Sequence, residues 1–292
     1  MTLCIAWRQN ECIYFASDSR LTNPDKTTIT NYATKIFKIH VAAVGPGPEV
    51  APIFSTDFGL CFTGSYLNGS LIADTISEVL SNLQVIPHSD YSIDNLAEIA
   101  FVVYKNVSIQ LMELNREKGL AKAYLGGFCP FTNVFKLFEF APISLPTNSK
   151  ITFTKTEINI NQNPALLGDF DAQNATNNLS KNLSNTYSYF HILRDIINNP
   201  DIPTVGGQIQ VGVFEENTVR TSGIAEYELK QDDYGFHSVN SKLTFRGIDF
   251  GFIDNELRVG NINIIKTFFN PFESERMQLF DQANELNNNI DI

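Results

Sequence analysis

Apolar and polar positions divide the chain into short strand-like runs and stretches of helical period. Leu3 to Trp7 and Cys12 to Ala16 are apolar runs separated by Arg8-Gln9-Asn10-Glu11, which predicts a hairpin starting at the first residues. Lys35 to His40 and Phe58 to Thr63 predict two further strands. The breaker-rich Gly45-Pro46-Gly47-Pro48 and Pro52 lie between them and read as an inserted loop. From Leu67 the period changes: Leu67, Leu71, Ile72, Ile76, Val79, Leu80 and Leu83 recur at helical spacing against polar Asp74, Ser77, Glu78 and Asn82. A second helix is predicted from a Ser92 N-cap through Leu96, Ile99, Val103, Val107 and Leu114 to a stop at Gly119.

Strand signals return at Ala121 to Phe128, Phe135 to Phe140 and Lys150 to Ile158. Helical patterns fill residues 171–198 in two pieces, the second marked by Phe190, Leu193, Ile196 and Ile197. Gln208 to Phe214 then alternates, with Ile209, Val211 and Val213 on one face. Past Glu226 the pattern predicts strands at Leu243 to Phe245 and Ile262 to Phe268, a helix from Pro271 to Leu286, and a frayed end over 287–292. This segregated order of strands and helix pairs predicts an α+β layered sandwich and not a doubly wound sheet. The expected division is a main domain over 1–225 and a C-terminal extension over 226–292.

Composition narrows the function. With 43% hydrophobic residues, 23 Phe and 10 Tyr, the chain carries more core-forming material than a disordered protein would, so a globular fold is expected. A net charge of -11 without any stripe of Lys and Arg excludes broad nucleic-acid binding. Arg8, Asn10 and Glu11 interrupt the first apolar run before it could serve as a signal-peptide core. No later run has the length of a membrane span, so neither secretion nor membrane insertion is expected. Cys4, Cys12, Cys61 and Cys129 form no C-x-x-C pair and read as thiols of a reducing cytoplasm. The four histidines, His40, His88, His191 and His237, offer neither a metal spacing nor a triad. There is also no P-loop and no G-x-G-x-x-G, so no metal and no cofactor is expected.

Candidate chemistry sits at strand ends. Thr2 directly follows the start Met, Ala16-Ser17-Asp18-Ser19-Arg20 closes the second strand, Lys35-Ile36-Phe37-Lys38-Ile39 lies in the third, and Phe62-Thr63-Gly64 precedes the first helix. A threonine hydroxyl is a weak nucleophile and needs a nearby base; a free α-amine, with a pKa of about 7.7–8.0, can serve once Met1 is removed. Lys35 would favour the deprotonated amine and hydroxyl, Asp18 would pair with that ammonium, and the Gly64 N–H would meet the oxyanion of a tetrahedral intermediate. Each residue also has a purely structural use: Asp18 as a turn former, Lys35 as a solvated strand end, Gly64 as a helix start.

In this order the residues resemble proteasome β-type subunits and their bacterial relatives, and the Ser-Asp-Ser-Arg wording is most similar to the HslV and Anbu branches. Asp18 stands sixteen residues after Thr2, the family's spacing, and Lys35 one residue beyond the family norm. The resemblance implies the four-layer αββα sandwich of the N-terminal-nucleophile hydrolases, here with a C-terminal extension longer than those bacterial subunits carry. It implies a threonine peptidase that forms an acyl ester on Thr2, a peptide or protein substrate, and a homo-oligomer in a ring or helical array with the two amphipathic helices between subunits. An ATPase partner is left unspecified.

Weaker sites follow from the same resemblance. Asp201 and Thr204, just before Gly206-Gly207, resemble the family's Asp and Ser that support the amine, or form a turn. Asp169, in Gly168-Asp169-Phe170, orients the amine or caps the following helix. Leu21, Ala33, Phe37 and Phe62 line the primary specificity pocket in the family, or belong to an apolar core. Two other functions remain open: a scaffold subunit that retains the sandwich for assembly, and an amidase of the same class acting on a non-peptide amide.

Overall fold

A computed structural model describes residues 2–47, 52–86, 88–115, 120–144, 151–184, 187–216, 218–246, 248–249 and 268–288. In chain order the elements are β1 (Leu3–Gln9), β2 (Cys12–Ser17), β3 (Leu21–Thr22), β4 (Thr28–Thr30), β5 (Ile36–Val44), β6 (Pro52–Gly64), α1 (Tyr66–Ser81), β7 (Leu83–Gln84) and α2 (Ile93–Asn115). They continue with β8 (Ala121–Phe128), β9 (Phe135–Ser144), β10 (Ile151–Ile158), β11 (Ala165–Gly168), α3 (Phe170–Leu179), α4 (Tyr189–Ile197), β12 (Gln210–Glu215), β13 (Thr218–Gln231), β14 (His237–Phe245), β15 (Ile248–Asp249), β16 (Phe268–Phe269) and α5 (Glu273–Asn288). The fold is α+β, as the segregated order predicts.

One sheet runs β11-β1-β2-β12-β13-β14-β15, with β16 parallel to β13; the other runs β10-β9-β8-β6-β5-β7. The all-buried start of β1 follows from apolar material on both of its faces. Leu3, Ile5 and Trp7 join Phe190, Leu193 and Ile196 of α4, while Cys4 and Ala6 join Cys61 of β6 and Tyr124 of β8. Alternation along a strand sends successive side chains to opposite faces, so the second group fills the space between the two sheets. On the far face of the second sheet, Val41, Phe58, Leu60 and Phe62 pack with Ile72, Ile76 and Leu80 of α1 and Leu96, Ala100 and Tyr104 of α2.

Several expectations shift. β5 runs up to the predicted loop at Val44 and β6 begins at its Pro52, which as first residue of its strand leaves the ladder intact. β11 escapes a periodicity reading because it has only four residues. β13 spans 14 residues and runs through position 226, and β14, which pairs with it, extends the strand predicted at Leu243 to Phe245 back to His237. The polar run Glu226, Glu228, Lys230 and Gln231 hid it, because beyond Glu226 the strand lacks a buried face. Asn287, predicted to fray, is helical, and its side chain accepts from the His237 N–H at 2.6 Å and donates to the His237 carbonyl at 2.8 Å. Residues 48–51, Gly119, Lys150, 262–267 and 289–292, on which other predictions fall, lie outside the described residues.

Candidate active site

Antiparallel pairing brings chemically useful ends together. Leu3 opposes Gly168, Cys4 opposes Ser17, and Ser17 opposes Gln210, so the starts of β1 and β12 meet the ends of β2 and β11. In the facing sheet Ile36 opposes Cys61 and Gly64 opposes Ala121. The Cys4 thiol donates to the Phe62 carbonyl at 3.4 Å and so joins the two sheets at this end.

Asp18 is the hub. Its Oδ1 accepts from the Leu3 N–H at 3.1 Å and from Lys35 Nζ at 3.0 Å; its Oδ2 accepts from the Arg20 and Gly206 N–H groups, both at 3.1 Å. Four donors on one fully buried carboxylate satisfy its acceptor capacity and fix its orientation one residue from Thr2. Lys35 also donates to the Arg20 carbonyl at 2.5 Å. Burial lowers the Lys35 ammonium below its ordinary pKa, and the Asp18 charge pulls it partly back.

Gln210 reinforces the pair. Its Oε1 accepts from the Lys35 N–H at 3.1 Å and its Nε2 donates to the Ala33 carbonyl at 2.6 Å, pinning the segment that enters β5. Sequence reading missed Gln210, because a buried glutamine at a strand start carries no signal until the facing segment is known. Arg20 donates from Nε to Asn31 Oδ1 and from its guanidinium to the Pro203 carbonyl, and Gly206 leaves room for it, since a Cβ there would lie 2.2 Å from the guanidinium carbon.

Thr2 is 5% exposed, and its carbonyl accepts from the Asp169 N–H at 2.8 Å. Gly168 makes that approach possible: its φ is +133°, and a Cβ would come within 1.7 Å of the Thr2 carbonyl oxygen. Asp169 Oδ1 caps α3 through the Asp171 and Ala172 N–H groups, and its Oδ2 accepts from the buried Thr204 hydroxyl at 2.7 Å. The structure thus joins Thr204 to Asp169 beside Thr2, while Asp201 is exposed, its N–H bonded to Asn199 Oδ1, and outside this cluster.

Gly64, with φ +97°, ends β6 just before the Ser65 N-cap of α1, and a Cβ would meet the Leu120 carbonyl at 2.6 Å. Phe37 and Phe62 stack with centroids 5.9 Å apart, and Phe62 packs on α1 at Gly69. Ala33 is buried beside Lys35 in sequence, and Leu21 is half-buried in β3. Between the Gly64 and Gly168 strand ends opens a cleft of about 460 Å³, whose polar lining includes Lys122, Glu139 and Gln173. Among the described residues no group of three His, Cys, Asp or Glu side chains could hold a metal ion, and no helix is long and apolar enough to cross a membrane.

No protein-family model and no curated protein matches the chain in sequence. Solved structures do match its fold. The Anbu (Gly-1) mutant from Hyphomicrobium sp. strain MC1 gives a TM-score of 0.51 at 11% identity over 100% of this chain and 99% of that one. The helical assembly of the Anbu complex from Pseudomonas aeruginosa gives 0.50 at 12%, over 100% and 98%. Anbu (ancestral beta-subunit) from Yersinia bercovieri gives 0.49 at 15%, over 75% and 86%. The fold is Anbu-like and proteasome-related, as the sequence resemblance implies, and at this identity the likeness speaks for the fold alone.

Proposed function

We propose that this chain is an N-terminal-threonine peptidase with the four-layer αββα arrangement, its nucleophile freed by removal of Met1. The observation that carries this reading is the buried Lys35–Asp18 pair at 3.0 Å, tied through the same Asp18 oxygen to the backbone of Leu3. Burying a charged pair costs several kcal/mol of desolvation, which folding alone does not require at a strand end. At that position the pair supplies a positive field beside the Thr2 amine and hydroxyl.

In this mechanism the Thr2 hydroxyl gives its proton to the α-amine and attacks the substrate carbonyl. The Gly64 N–H stabilises the oxyanion, and the amine returns the proton to the leaving nitrogen. Water then cleaves the acyl ester by the reverse proton path. Asp169 and Thr204 hold the Thr2 carbonyl side and so orient the amine, and the apolar Leu21, Ala33, Phe37 and Phe62 set receives the side chain before the cleaved bond. The Pseudomonas aeruginosa relative forms a helical assembly; by likeness of fold we take this chain to be a cytoplasmic homo-oligomer acting on peptides or proteins.

Thr2→Ala is expected to abolish labelling by an electrophilic peptide probe and to lower peptide turnover by about a thousandfold or more, with an unchanged circular dichroism spectrum. Full labelling of that variant would sink the reading. A scaffold role draws on two observations: Asp169 uses both oxygens on α3 and Thr204, and Thr2 is nearly enclosed. Its signature would be a folded oligomer in which Met1 persists and wild-type protein is not labelled.

A further inference from the structure

The cleft between Gly64 and Gly168 lies on the opposite face of β6 from Phe62. Phe62 faces α1 and joins its core, so the next residue, Thr63, faces the other way. Thr63 lines the cleft and opposes Lys122 of β8. Glu139 opposes Tyr124, which places it on the same sheet face, one strand further out and two residues along. A chain whose reacting carbonyl sits at the Gly64 N–H, with one side chain toward the apolar set proposed above, continues past Gly64 into this cleft.

The two charges of the cleft differ in availability. Lys122 is exposed, and among the described residues its ammonium makes no hydrogen bond or ion pair. Glu139 is half-buried, and its negative charge adds to burial in raising the hydroxyl pKa of both Tyr104 and Tyr124. Leu166, Leu167 and Pro142 supply apolar walls, and Gln173 Nε2 donates to the Gly168 carbonyl at 2.9 Å, which keeps that rim in place. The chain's net charge of -11 would repel an acid at long range, but at physiological salt that field is screened over about 8 Å, which leaves exposed Lys122 and half-buried Glu139 as the charges that line the cleft.

We infer that this cleft receives the substrate on the leaving side of the cleaved bond and that Lys122 selects an aspartate or glutamate directly after that bond. The inference rests on the reading of Thr2 as nucleophile and adds a substrate class to it: peptides with an apolar residue before the cut and an acidic residue after it.

The test uses N-terminally processed enzyme and three fluorogenic peptides that are identical up to the cleaved bond and carry Asp, Ala or Lys after it. Ratios of kcat/KM within one protein cancel differences in active fraction. Wild type is expected to favour Asp over Lys by about fivefold, the range of a partly exposed ion pair. Lys122→Glu should invert that order, and Glu139→Gln, by removing the competing carboxylate, should widen it. Equal ratios in wild type and Lys122→Glu, with the wild type still labelled at Thr2 by a probe carrying only the acyl side, would overturn the cleft assignment and leave Thr2 standing. Loss of wild-type labelling would overturn both.

Discussion

Lys35–Asp18 and Arg194–Glu275 carry like charges in opposite settings. The first is buried, with side chains 2% and 0% exposed, and both carboxylate oxygens of Asp18 are engaged by backbone or Lys35 donors. The second is partly open, 24% and 32%, a fork in which Arg194 donates to Glu275 at 2.7 and 2.5 Å while its guanidinium lies 4.2 Å from the Phe272 ring centre. The first pair gives back little stability for its desolvation; the second fastens the start of α5 onto α4 at small desolvation cost. Two ion pairs of similar length therefore do different things: one holds a charge where chemistry needs it, the other docks a helix.

The largest expected effect breaks the buried pair. Asp18→Ala leaves Lys35 buried without its counterion and should cost about 3–5 kcal/mol in denaturant unfolding, with activity lost. Lys35→Met, which leaves Asp18 with its Leu3, Arg20 and Gly206 N–H donors, should cost less stability than Asp18→Ala and still abolish activity. If it costs as much as Asp18→Ala while activity survives, the pair is a stability device and the contrast fails.

A smaller effect sharpens the other side. The Arg194 hydrogen bonds, opposed by partial burial, hold the Glu275 carboxyl below its ordinary pKa. A carboxylate depressed in the folded state contributes stability that is full above the ordinary glutamate pKa of about 4.3 and is lost as pH falls through the folded value. Glu275→Gln should lower stability at neutral pH by about 1 kcal/mol, given the exposure of the pair, and the difference from wild type should vanish in acid. Unfolding curves taken across that pH range would read it.

Legibility from sequence followed the same division. The strand ends that carry Thr2, Asp18, Lys35 and Gly64 are legible because their apolar runs are unmistakable, and the fold brings Asp18 to Lys35 and to the Leu3 N–H. The spacing of Asp201 and Thr204 predicts a unit, yet only Thr204 joins Asp169, because the turn after α4 faces Asp201 to solvent. Gln210 and the space reserved at Gly168 were invisible, since both depend on what a distant segment presents to them. Past position 226 the polar faces of β13 and β14 carry little period, and that region is fixed instead by pairing and by the Arg194 and Asn287 contacts, which no local pattern encodes.

The most direct test of the central claim is peptide-level mass spectrometry of protein from its native host after treatment with an electrophilic peptide probe. The account predicts an N-terminal peptide that begins at Thr2 and carries one probe adduct on that residue. A peptide that still begins at Met1, or an adduct only on another residue, would contradict it.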